Sequence, residues 1–297
     1  AGASSGMLQA IAAGQLLICA TATEAGTDFL RPNTTATRTA DGWSISGRKI
    51  FVTMSPVAAV YALNVRVPGG EGEPDGMGFA FVPASTPGIQ PQDDWDALGM
   101  RASGSQSVVL EDCQVPAGAI QPNATWGEWS PGLLMGRTLG NITLVGAFLG
   151  IAERARELAV EAALRQTKPK FEGAVGNSPG VQHRLGEIDI ALAAARAILD
   201  RTTKELDGLL AEPDPPDLER AHVCMRDYQC AKWVVNQNAI EIVSHAMDVC
   251  GGGAFMGGHE LARLYRDVRA GPFMQPFSPT EAREYVGQVA IGRPPRG

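Results

Sequence analysis

The sequence is short of basic charge. Lys and Arg total 25 against 32 Asp and Glu, a formal net charge of −7 over 297 residues. A nucleic-acid binder normally presents a basic face, so that class is set aside. Metal and disulfide patterns are also missing. The five cysteines, Cys19, Cys113, Cys224, Cys230 and Cys250, are scattered, odd in number and without C-x-x-C spacing. That argues against a zinc site or a disulfide framework and suits a reducing cytoplasm. The four histidines, His183, His222, His245 and His259, share no close ligand spacing, so no metal is expected. Residues 7 to 22 are only moderately apolar, interrupted by Gln9, Gly14 and Gln15, with no basic residues before them. The expectation is no signal peptide and no membrane span. What is present is ordinary for a globular chain, 44% hydrophobic and 19% charged, with length for two domains that each bury a core.

Taken in order, the chain changes character twice. Met7 to Leu17 reads as the end of a helical segment, closing near residue 14. Strand-like runs follow at Gln15–Thr21, Thr34–Thr39, Trp43–Val52, Ala58–Val67, Met77–Val82 and Ser105–Val115. Gly, Pro, Asn and Asp separate them, and Asp41-Gly42 is a hairpin signal. Runs of strands without intervening helices predict an antiparallel β barrel or sandwich over residues 15–122. From residue 123 to 297 the pattern is helical: Leu133–Ala163, Val181–Leu210, Leu218–Val249 behind Asp217 as N-cap, then Glu260–Ala270 and Pro279–Ala290. Long helices joined by short proline-bearing loops predict an antiparallel four-helix bundle. The expected class is α+β, a β domain followed by that bundle.

Three stretches of the β region and one of the helical region carry candidate chemistry. Ala20-Thr21-Ala22-Thr23-Glu24-Ala25-Gly26-Thr27-Asp28 is rich in small hydroxyl residues. It reads either as a polar turn after a strand or as a backbone that bonds a heteroaromatic edge and a phosphate. Gly47-Arg48-Lys49-Ile50-Phe51-Val52-Thr53 reads as a core strand unless Phe51 serves a ligand. Leu98-Gly99-Met100-Arg101-Ala102-Ser103-Gly104-Ser105 precedes Val115-Pro116. Gly251, Gly252 and Gly253 follow Cys250 where a helix should end, ahead of Arg263 and Arg266-Asp267.

In this order the four stretches resemble the acyl-CoA dehydrogenase family of flavoproteins, whose patterns are T-E-x-x-x-G-S-D, G-x-K-x-W/F-I-T, L-G-M-R-G-S and a glycine patch before an R-D helix. The first departs at Ala22 and at Thr27, where the hydroxyl is kept. The resemblance implies FAD between a β domain and a helical bundle. Thr21, Gly26 and Thr27 would contact the flavin and pyrophosphate, with Phe51 on the ring and Thr53 near its N5. Gly251, Gly252 and Thr280 would serve the nucleotide, the glycines of a neighbouring subunit, in a homodimer or homotetramer. The chain begins where the family's first, helical domain would end, which leaves a fragment, an incomplete sequence or one half of a split protein as readings.

The family's reaction is α,β-desaturation of an acyl thioester such as an acyl-CoA, with electrons passed to an electron-transfer flavoprotein or reductase. Removing the α-proton needs a carboxylate base. The family's usual Glu, in a Y-E-G-T context, is matched here by Ser278 in Phe277-Ser278-Pro279-Thr280, and the alternative position falls near Gly140. Glu281 is the nearest acid and the candidate base, or else a helix N-terminal charge. The usual R-x-x-F-G arginine has only a loose counterpart at Arg165. Two further readings stay open. One is a flavin monooxygenase of the same fold using reduced flavin and O2, although the histidine common in that branch is absent between Arg263 and Gly292. The other is a non-catalytic subunit that pairs with a complete homologue in a hetero-oligomer.

Overall fold

A computed structural model describes residues 5–171 and 173–295. They divide into two compact units. One runs to Ala97 and resumes at Arg101–Leu133; the other holds Leu98–Met100 and Leu134–Pro295.

The first unit opens with helix α1 (Ser5–Ala12) and then strands β1 (Ile18–Thr21), β2 (Thr35–Arg38), β3 (Gly42–Val52), β4 (Val60–Val67), β5 (Gly76–Pro83), β6 (Ile89–Pro91), β7 (Gln106–Pro116) and β8 (Ile120–Thr125). They form one eight-stranded sheet in the order β6-β7-β3-β2-β4-β5-β8, with β1 beside β4. The hairpin expected at Asp41-Gly42 is there, pairing Arg38 with Trp43 and Thr35 with Ser46. The antiparallel barrel or sandwich is not. β4 pairs in parallel with β1 (Ile18↔Val60 to Thr21↔Leu63) and with β2 at Thr35↔Arg66, so the sheet is mixed. Turn residues mark where strands end but not which neighbour they choose. Here the long Ala22–Thr34 connection returns the chain so that β1 and β2 share one edge of β4. The core is Ile45, Val52, Leu63, Val65, Val108 and Leu110, apolar side chains of alternating strand positions pointing to one face.

The second unit is built on helices α2 (Pro131–Arg165), α3 (Pro179–Leu210) and α4 (Leu218–Cys250), with the short α5 (Glu260–Val268) and α6 (Pro279–Ala290). The expected four-helix bundle is corrected to three long helices with α5 and α6 packed on α4. Pro272 and Pro276 fall between the two short helices and prevent a single continuous one. Ala152, Ala155, Ala159 and Ala163 repeat at helical spacing on α2 and bury against Ile188 and Leu192 of α3 and Ile242, Val243 and Ala246 of α4. Asp217 caps α4 as expected, accepting the Arg220 N–H at 2.8 Å. α2 is long and apolar enough to cross a membrane by length and composition alone. Its second half is tied into the unit through Arg154 to Glu260 and Glu153 to Arg196.

Candidate functional site

In the sheet unit the site grows from an irregularity in β3. The β3–β7 ladder slips between Lys49 and Val52. Phe51 lies in that slip with φ 56°, a left-handed conformation that bulky residues rarely adopt. The slip turns its ring outward, where it is 60% exposed. Its ring meets Trp95 edge-on, at 81° and 6.1 Å between centroids. The next ladder pair, Val52↔Gln106, sets Thr53 beside Ser105. Thr53 Oγ1 and Ser105 Oγ are 3.0 Å apart, and Ser105 Oγ is 2.6 Å from Ser103 Oγ. Thr21, at the end of β1, has a buried hydroxyl with no hydrogen-bond partner. Leaving a buried polar group unpaired costs about 1–3 kcal/mol, which a native structure tolerates where a ligand or water completes it.

The loop after Thr21 is pinned by a buried ion pair. Lys49, with no exposed side-chain surface, donates to Glu24 Oε1, to the Asn64 carbonyl at 2.6 Å and to Asn64 Oδ1 at 2.8 Å. Glu24 accepts from the Asn33 N–H at 2.7 Å and the Thr34 N–H at 3.2 Å, and Asn64 Nδ2 donates to the Phe29 carbonyl at 3.1 Å. One ammonium therefore holds both ends of Ala22–Thr34 against β3 and β4. Burial pulls Lys49 down to about 8 against the upward pull of Glu24. Within the loop Gly26 is left-handed at φ 74° with open space around it, and Thr27 donates its hydroxyl to the Arg31 carbonyl. Asp28 accepts the Leu30 and Arg31 N–H groups at 2.8 and 3.0 Å. The pairing of Glu24 with Lys49, and of Ser105 with Thr53, escapes sequence reading. Both depend on register across strands far apart in the chain.

The helical unit brings two of the motif stretches together. A Cβ on Gly99 would stand 2.2 Å from the Arg266 carbonyl oxygen, so only glycine fits. The Met100 N–H donates to Asp267 Oδ1 at 2.6 Å. Gly251 ends α4 at φ 72°, and neither it nor Gly252 has any atom within 4 Å of where a Cβ would stand. Ser278 is the N-cap of α6 in a capping box: its hydroxyl accepts the Glu281 N–H at 3.5 Å, and Glu281 Oε2 accepts the Ser278 N–H at 2.8 Å. Thr280 is exposed on the first turn between them. The segment before Ser278 is held from below by cations. Lys232 donates to the Met274 and Phe277 carbonyls, Arg137 Nη2 donates to Gln275 Oε1 at 2.6 Å, and the Tyr228 hydroxyl donates to the Gln275 carbonyl at 2.9 Å. Burial pulls Lys232 down to about 8 and Arg137 to about 10.

Residues 18–113 match the acyl-CoA dehydrogenase middle domain and residues 136–275 the acyl-CoA dehydrogenase C-terminal domain. The chain belongs to the acyl-CoA dehydrogenase family of flavoprotein oxidoreductases. Within that family it is 33% identical over 296 residues to amino sugar nitrososynthase DnmZ of Streptomyces peucetius, covering 97% of this chain and 68% of that protein. It is 35% identical over 289 residues to L-evernosamine nitrososynthase of a Micromonospora species, covering 96% and 65%. The crystal structure of KijD3 in complex with FMN and dTDP-3-amino-2,3,6-trideoxy-4-keto-3-methyl-D-glucose superposes with a TM-score of 0.88 at 34% identity, covering 98% of this chain and 69% of that one. The chain thus spans 65% to 68% of the length of these two curated relatives.

Proposed function

We propose that this chain is the flavin-holding part of an N-oxygenase that oxidises the amino group of a nucleotide-linked amino sugar, with reduced flavin and O2 as co-substrates. The observation that carries the reading is the closed capping box at Ser278 and Glu281. Desaturation of an acyl thioester requires a carboxylate free to take the α-proton. Here Ser278 stands at the family's base position, and the nearest acid, Glu281, is engaged with the Ser278 N–H. Amine oxidation has the opposite requirement. The amine must reach the oxidant as a free base, and a carboxylate at position 278 would pair with its ammonium and keep it protonated. The nitrososynthase relatives and the FMN and amino-sugar nucleotide bound by KijD3 support the same reading.

The sheet unit suits a flavin on its own evidence. It presents an exposed aromatic held in a left-handed conformation, an unpartnered buried hydroxyl at Thr21 and a second hydroxyl at Thr53. Phe51 would lie on the ring, Thr21 and Thr53 would bond its polar edge, and Gly26 would let backbone approach it. Thr27 would serve its phosphate end. FMN is preferred to the FAD first expected, since KijD3 binds FMN and the family's usual pyrophosphate arginine pattern has no close match here. Reduced flavin supplies the two electrons that split O2. In the first turnover R–NH2 + O2 + 2e⁻ + 2H⁺ gives R–NHOH + H2O, and in the second R–NHOH + O2 + 2e⁻ + 2H⁺ gives R–N=O + 2H2O.

The test is product analysis by mass spectrometry after mixing the full chain with reduced FMN, O2 and a dTDP-3-amino sugar. Hydroxylamine and nitroso products are expected. An unchanged sugar with all O2 released as peroxide overturns the reading.

A further inference from the structure

We propose that Thr53, Ser105 and Ser103 form a reversible hydroxyl relay, which lets Thr53 offer a hydrogen to oxidised flavin and a lone pair to reduced flavin. The inference rests on the reading above that Thr53 faces the flavin.

A hydroxyl donates one hydrogen and accepts through its lone pairs. Thr53 Oγ1, Ser105 Oγ and Ser103 Oγ are linked in series at 3.0 and 2.6 Å, and either member of each pair is able to be the donor. Two arrangements of the hydrogens therefore satisfy the same heavy atoms. In one, Ser103 donates to Ser105 and Ser105 to Thr53, leaving the Thr53 hydrogen free to point at a ligand acceptor. In the other, Thr53 donates to Ser105 and Ser105 to Ser103, leaving a Thr53 lone pair for a ligand N–H.

Among the described residues no hydrogen bond selects between them. Among the described residues no backbone N–H or carbonyl bonds any of the three hydroxyls. Neighbouring hydroxyls contrast with them: Tyr61 donates to the Ser55 carbonyl at 2.7 Å and Ser55 to the Gly104 carbonyl at 3.3 Å, each with its direction fixed. The inner member, Ser105, is buried, so water does not compete for it, while Ser103 at the far end is half-buried and able to exchange partners with solvent. A flavin makes the matching demand. Its N5 is a bare acceptor when oxidised and carries a hydrogen when reduced. Three rotors turn together, no heavy atom moves and no proton leaves the chain. Thr53 would be the residue in contact with the cofactor, and Ser105 and Ser103 positioning residues.

The relay is tested by equilibrium binding of oxidised FMN, and of reduced FMN without oxygen, to the full chain and to Ser105→Ala, Ser103→Ala and Ser105→Thr. Ser105→Ala is expected to raise both dissociation constants by about two- to tenfold, the worth of one neutral hydrogen bond, with their ratio unchanged. Ser103→Ala moves both in the same direction by less, with an unchanged unfolding midpoint because the site is half-buried. Ser105→Thr restores wild-type binding. A loss confined to one redox state in Ser105→Ala shows that the polarity is fixed and overturns the relay, as does no loss in either state. A wild-type chain that binds neither form overturns the flavin reading and the relay with it.

Discussion

The Lys49–Glu24 pair offers the sharpest check on how the site loop is held. Lys49→Met keeps most of the side-chain length and removes the charge. It strands the Glu24 carboxylate, 3% exposed, on two backbone N–H groups and takes the donor from both oxygens of Asn64. Breaking a buried pair by removing one partner costs about 3–5 kcal/mol, because the remaining charge is left uncompensated. Against a usual total of about 5–15 kcal/mol, that is a large share of the unit's stability. At a urea slope of about 1–3 kcal/mol per molar the midpoint falls by about 2 M. Tryptophan fluorescence suits the assay, since Trp43, Trp95, Trp126 and Trp129 all lie in the sheet unit. Adding Glu24→Gln removes the stranded charge and should recover more than half the loss. pH gives a second signature. The folded Lys49 value is depressed to about 8, so between about pH 8 and the free-lysine value of about 10.4 the unfolded chain holds a proton that the folded chain has released. Lys49 therefore contributes stability that rises with pH across that window, while the buried thiols Cys19 and Cys250, pushed up to about 11, keep protons that the unfolded chain loses there and contribute a fall. Lys232, also pulled to about 8, contributes in the same direction as Lys49, so Lys49→Met shifts the net slope of stability against pH downward by one lysine's contribution and leaves that of Lys232 in place. A loss under about 1 kcal/mol, or a double variant no better than the single, refutes the clamp.

Other outcomes follow from the same structure. Phe51→Gly relieves a left-handed conformation at an exposed position, so stability should hold or rise by about 1 kcal/mol while FMN affinity drops by tenfold or more; paired urea and flavin titrations check both. Ser278→Ala removes the cap of α6 and should lower stability by about 1 kcal/mol in thermal unfolding. Ser278→Glu places a carboxylate beside the proposed amine site, and amine oxidation should shift to higher pH in a pH–rate profile.

Much of the fold was legible because strand and helix periods are local. The six strand runs and the five helical segments of the second region each coincide with an observed element, and Asp217 and Asp41-Gly42 sit where capping and hairpin chemistry put them. β6 and β8 escaped. β6 is three residues long, and β8 carries Pro122 and Asn123, which read as a loop but occur at a slip in its pairing with β5. The mixed sheet escaped because parallel pairing along β4 depends on a loop closed by Glu24, Lys49 and Asn64, far apart in sequence. At the site, Phe51 was legible as a residue type in a motif, but its outward turn arises from a ladder irregularity with no sequence mark. The capping box was half legible, since Ser278 and Glu281 have its spacing.

Amine oxygenation is the central claim, and isotopically labelled O2 tests it most directly. The full chain is mixed with reduced FMN and a dTDP-3-amino sugar under labelled O2, with an acyl-CoA panel run without oxygen as the counterpart. The account predicts label on the sugar nitrogen and oxidised flavin that no acyl-CoA bleaches. An unlabelled sugar, together with flavin bleached as an acyl-CoA becomes its enoyl product, contradicts it.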